Sequence, residues 1–131
     1  MKTVKQDILV SDFLKQYPRE KQDTLHVIIQ EVRKITGEVP AIWGKDIIGF
    51  GEITYSNTKL KDQPFFNIGL RMAANHVTLY LNAYDPKITS FADAHGIKHG
   101  VGCFHIKKAH EKLDHIKTLV TLSLKKTHYL V

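Results

Sequence analysis

A single cysteine, Cys103, stands among the 131 residues, so an intramolecular disulfide framework and a multi-cysteine zinc site are both excluded. Only three arginines occur, Arg19, Arg33 and Arg71, and arginine is the residue that bidentate phosphate and base contacts favour. No apolar run approaches the ~18 residues of a membrane span. The opening MKTVKQD has no apolar signal-peptide core. These absences lead to the expectation of a reducing, cytoplasmic setting with no membrane partner. No internal repeat, low-complexity stretch or linker divides the chain, so residues 1–131 are read as one domain.

What is present is ordinary for a globular protein: 43% hydrophobic and 24% charged residues, enough to fill one core without staples. Charge is uneven, however. Residues 98–131 hold seven lysines against two anions, Glu111 and Asp114, so that segment carries nearly all of the net charge of +6. Five of the eight histidines also fall there: His99, His105, His110, His115 and His128. A basic stretch of this kind suits nucleic acid or an acidic partner. The aromatics do not alternate with the cations, and a solvated helix face accounts for the charge more simply.

Helical spacing appears first. Ser11 is read as an N-cap of a short helix that ends before Pro18. Pro18 is then placed at the first position of a longer helix. In it Leu25, Ile28, Ile29, Val32 and Ile35 form one apolar face, while His26, Gln30 and Arg33 lie opposite. Gly37 closes it. From Pro40 the period changes to that of strands: 41–44, 47–55, 65–70 and 77–81, with a polar loop from Ser56 to Pro64 between the second and third. Short connections imply antiparallel pairing. Pro86 opens a third helix that Gly96 ends. The glycine-broken run from Gly96 to Ile106 leads into a final strand, and a C-terminal helix carries Leu113, Ile116, Leu119, Val120, Ser123 and Leu124 at burial spacing. The fold class expected is α+β: a two-layer sandwich in which an antiparallel sheet of about five strands carries the N- and C-terminal helices on one face.

Four constellations carry chemistry. Gly96, Gly100 and Gly102 permit close backbone approach, and Lys98 and His99 add donors, so successive N–H groups there could cradle an anion. The loop lacks phosphate-loop spacing and enters a strand instead of a helix. Val101, Cys103 and His105 share a strand face, with Phe104 and Ile106 on the other, and Cys103 is read as a buried, inert thiol. His110, Glu111 and His115 form a candidate metal set by helical spacing, without the HExxH pattern of a dedicated site. Trp43, Phe50 and Tyr80 belong to an aromatic group in the strand region that could wall an apolar pocket.

In the order and spacing of its motifs, the chain resembles the bacterial YdhG-like domains, a family of unknown function. The motifs are Pro40-Ala41-Ile42-Trp43-Gly44, the run from Ile48 to Tyr55, Val77-Thr78-Leu79-Tyr80-Leu81, and the run from Lys98 to Ile106. The resemblance implies an antiparallel sheet covered by the terminal helices. Some relatives look like frataxin in fold, which brings iron as the cofactor to be considered and an iron-chaperone role as the alternative function.

The function expected is a non-enzymatic binding module that takes a small anion or a protein partner. Its surface comprises Trp43, Phe50, Tyr80, Lys98, His99, Gly100 and Gly102. No cofactor is called from the residues themselves. Iron chaperoning is one alternative, and binding of nucleic acid or an acidic partner through the basic C-terminal helix is the other. The chain is expected to be a monomer or a homodimer.

Overall fold

The computed structural model describes residues 4–55, 63–82 and 85–124. The elements run β1 (Lys5–Gln6), α1 (Val10–Leu14), α2 (Arg19–Thr36), β2 (Ala41–Trp43), β3 (Ile47–Tyr55), β4 (Gln63–Met72), β5 (Val77–Leu81), α3 (Pro86–Ala94), β6 (Lys98–His99), β7 (Cys103–Ile106), a 3-10 turn (Ala109–Glu111) and α4 (Leu113–Leu124). The polar loop, Lys125, Lys126 and His128 of the sequence reading lie outside the described residues, except for the loop's end at Gln63 and Pro64.

The strands form one sheet in the order β1-β2-β3-β4-β5-β7-β6, antiparallel throughout. It has seven strands where about five were expected. The two extra ones, Lys5–Gln6 and Lys98–His99, are edge strands of two residues each, too short to display an alternating pattern.

Register explains the core. Ile48, Leu70, Leu79 and Phe104 are successive cross-strand partners, and all four are buried. Phe50, Ile68 and Leu81 make a second such row. Cross-strand partners share a face, so these rows build one apolar surface. The helices cover it: α2 with Leu25, Ile28, Ile29 and Val32, and α4 with Ile116, Leu119 and Val120, lie side by side on this surface. α3 packs against α4. The middles of the helix stripes thus fall where their spacing placed them, while at their ends Leu124 is exposed and Ile35 and Leu113 are half-buried. No described helix is long and apolar enough to cross a membrane.

Two helix starts differ from the sequence reading. Leu9, not Ser11, is the N-cap of α1, which places Ser11 in the first turn. Pro18 occupies the N-cap of α2, with extended ψ of 153°, one residue earlier than the N1 position. Asp85 does cap α3 as a side-chain acceptor from the Lys87 N–H at 2.6 Å, and Pro86 follows it.

Candidate functional site

α3 ends in a motif that shapes the candidate site. Gly96 is left-handed, with φ +67°. Its N–H donates to the Asp93 carbonyl at 3.2 Å, and that of Ile97 reaches back to Ala92 at 2.8 Å. This pairing satisfies the last carbonyls of the helix and turns the chain sharply into β6. Buried Ile97 and exposed Lys98 are thereby set beside the end of β7.

At that place a cavity of about 470 Å³ opens between the end of α3, β6, the end of β7 and the start of α4. Four histidines line it: His76, His95, His105 and His115. Three lysines join them, Lys98, Lys107 and Lys112, and Ile97 and Ile106 supply apolar lining. No carboxylate is among the lining residues. Its size falls in the range of roughly 300–1,000 Å³ common to small-molecule sites.

The histidines sit in two pairs. His105 Nδ1 lies 3.2 Å from His76 Nε2 and 3.3 Å from Thr78 Oγ1, a consequence of the Thr78↔His105 register. The rings of His95 and His115 are 4.5 Å apart, and Phe91 stands edge-on to His115 at 5.7 Å. His115 Nδ1 is buried with no hydrogen-bond partner among the described residues. Burial pushes His115 below the ordinary imidazole range; His95 and Lys112 add to this, and Asp114 opposes it. Burial likewise lowers His76, followed by the effects of His105, Arg71 and Lys107. A desolvated imidazole among cations gives up its proton readily. The empty pocket therefore presents neutral His76 and His115 beside charged lysines at neutral pH.

A second cavity, of about 280 Å³, lies next to this one and shares His76. Its lining mixes Glu20 with Lys21 and Lys108, so it has no single sign of charge. The histidine–lysine pocket is the site with a defined chemical preference.

Of the residues singled out in the sequence, Lys98 lines this pocket. His99 does not, because its ring nitrogens face Gly100 O at 2.9 Å and Asp93 Oδ1 at 2.7 Å. The Gly100 N–H, one of the donors expected to meet an anion, donates instead to Cys103 O, and the Gly102 carbonyl accepts from Leu81. Those backbone groups are spent within the sheet. His115 lines the pocket, whereas His110 lines the neighbouring 280 Å³ cavity and Glu111 is exposed. The three are not brought together, and among the described residues no three His, Cys, Asp or Glu side chains group as metal ligands.

The aromatic wall is divided by the sheet. Phe50 is 1% exposed and belongs to the helix-covered core. Trp43 and Phe66 pack on the other face, over Gly49 and Gly69, which face each other across β3 and β4. Tyr80 adjoins Phe66 there, with ring centroids 6.0 Å apart. Trp43 and Phe66 are each 2% exposed, so they fill a small outer core and leave no cleft between them. Of the described C-terminal cations, Lys107 and Lys112 line the pocket and Lys117 lies 3.9 Å from Glu31, which leaves α4 without a continuous basic stripe along its described length.

No family model, curated protein or solved structure matches the chain.

Proposed function

We propose that this protein is a binding module for a small anionic ligand, held in the histidine–lysine pocket at the junction of α3, β6, β7 and α4. One observation carries the reading: seven basic side chains from separate elements line one cavity to which no carboxylate contributes. The three lysine charges repel one another with no carboxylate in the lining, and an anion relieves that repulsion while the histidines offer it hydrogen-bonding nitrogens. The first turn of α4 reinforces the preference, because Lys112 and His115 place the positive end of the helix dipole at the cavity. The pocket overlaps the glycine-containing segment at its start, through Gly96 and Lys98. Membership of the YdhG-like family is part of this proposal and rests on the sequence motifs.

Isothermal titration with inorganic phosphate, sulfate and citrate tests the reading. Saturable binding is expected. Lys98→Ala or Lys112→Ala should weaken it by about tenfold each, equivalent to ~1.4 kcal/mol. Lys21→Ala, in the neighbouring cavity, should leave it unchanged. Absence of saturable binding for all three anions at about 10 mM, a concentration that would reveal even weak association, defeats the proposal.

A further inference from the structure

We infer that the pocket selects a phosphomonoester-type dianion and takes it up together with protons that settle on its two histidine pairs. This rests on the anion-binding reading above and specifies its ligand and its coupling to pH.

The donor arrangement points to the dianion. Lysines approach from β6 (Lys98), from the end of β7 (Lys107) and from the start of α4 (Lys112). A planar carboxylate has two oxygens to share among them. A phosphoryl group has three terminal oxygens and about two negative charges near neutral pH. Lysine and histidine meet it as point charges and single donors, without the planar fork of arginine. Ile97 and Ile106 in the lining would accept an organic remainder, and the cavity is larger than a bare phosphate needs.

Proton coupling follows from the pairs. Between His105 Nδ1 and His76 Nε2, 3.2 Å apart, there is room for one hydrogen, so one nitrogen donates and the other accepts. Arg71 from β4 and Lys107 from the end of β7 also bear on His76. On the helix side His115 faces His95 at the end of α3 and Lys112 at its own helix start, with Asp114 the one opposing carboxylate. Burial first, and these neighbours after it, hold His76 and His115 below the ordinary imidazole range while the pocket is empty. A dianion among the same groups reverses the field, and each pair then gains from carrying a proton. His115 Nδ1, buried and without a partner among the described residues, becomes a donor once protonated.

The test is calorimetry with phenyl phosphate, and with phenyl sulfate as a singly charged analogue of similar shape, in two buffers of different ionisation enthalpy at about pH 7.5. Phenyl phosphate should bind at least about tenfold more tightly than phenyl sulfate. The dependence of heat on buffer should report uptake of roughly half a proton or more per ligand. His115→Gln should reduce that uptake by about half, and Lys98→Ala should weaken affinity while leaving the uptake in place. The wild-type buffer comparison decides the matter even if His115→Gln does not fold. Equal affinities for the two probes, or binding with no proton uptake, overturns this inference and leaves anion binding standing. No binding of either probe, nor of inorganic phosphate, sulfate or citrate, removes both.

Discussion

Asp93 holds His99 by a contact of 2.7 Å between Oδ1 and Nε2, across the turn that ends α3. The other ring nitrogen faces the Gly100 carbonyl. Both partners can only accept, so the ring needs both of its protons to satisfy them. The Gly100 contact is the larger cause, Asp93 the next, and together they raise His99 above its ordinary value of 6.5. The folded state therefore binds this proton more tightly than the unfolded chain does. The resulting stability is fully present below about pH 6.5 and is lost as pH rises through the folded pKa. Asp93→Asn should flatten that part of the profile, and the His99 ring signals should titrate lower in the variant by NMR. An unchanged His99 titration would show that Asp93 has no hold on it.

His76 and His115 act with the opposite sign. Both titrate below the ordinary range in the folded chain, so the unfolded state binds these protons more tightly. Their contribution is intact above about pH 6.5 and is lost as pH falls. Thermal melts from about pH 8 to about pH 5 should show a fall in Tm that His115→Gln diminishes. Saturating phosphate should diminish it as well, by supplying the missing counter-charge. A fall that is identical in the variant would place the acid sensitivity elsewhere.

The paired glycines beneath Trp43 give a test of packing. A Cβ at Gly49 would lie 2.5 Å from Trp43 Cδ1 and 2.8 Å from Phe66 Cβ. At Gly69 the closest atom is Phe66 Cε1, at 2.6 Å, the far edge of a ring. The Phe66 Cβ is fixed to its backbone, whereas a ring edge has some freedom to tilt. Gly49→Ala should cost about 1–3 kcal/mol through overpacking, and Gly69→Ala less. Urea denaturation of the two variants checks the order, and a larger loss at Gly69 would contradict it.

The orientation of α2 is equally open to measurement. Ile28 is fully buried and His26 is exposed. Ile28→Ala should cost roughly 2–5 kcal/mol through lost transfer energy and a cavity. His26→Ala should stay within about 0.5 kcal/mol. Equal losses in chemical denaturation would mean that the helix presents a different face to the sheet.

Much of the architecture was legible because helices and strands impose periods on their buried residues. The stripe through Leu25, Ile28, Ile29 and Val32 needed only the 3.6-residue turn, and all four are buried. The separation of Cys103 and His105 from Phe104 and Ile106 needed only alternation, and the latter two are the buried ones, whereas Cys103, expected to be buried, is half-buried at the end of its strand. The grouping of Phe50 with Trp43 failed because spacing along a chain does not say which side of a sheet a neighbouring strand presents. Trp43 pairs with Ile47 and packs on Gly49, so alternation along β3 puts Phe50 on the opposite face. The pocket was less legible still. His115 was singled out for metal binding, and His105 was paired with Cys103, because local spacing shows only local neighbours. Their gathering depends on the β5–β7 register and on α3 packing against α4. In the sequence His76, His105 and His115 each precede a β-branched residue, but so does exposed His26, and His95 of the pocket precedes Gly96, so no local pattern marks the four lining histidines.

The seating of Trp43 separates two spectroscopic signals. Its indole is nearly inaccessible and is ringed by Phe66 at 6.1 Å and Phe65 at 6.4 Å. It stands on β2, four strands from β7, or about 19 Å at the usual ~4.8 Å strand spacing. Native emission from this lone tryptophan, excited at a wavelength the five tyrosines do not absorb, should lie to the blue and shift red as the sheet opens. Ligand occupancy at the far end of the sheet should leave its wavelength unmoved. Unfolding can thus be followed optically at any degree of saturation, while calorimetry on the same sample records the pocket.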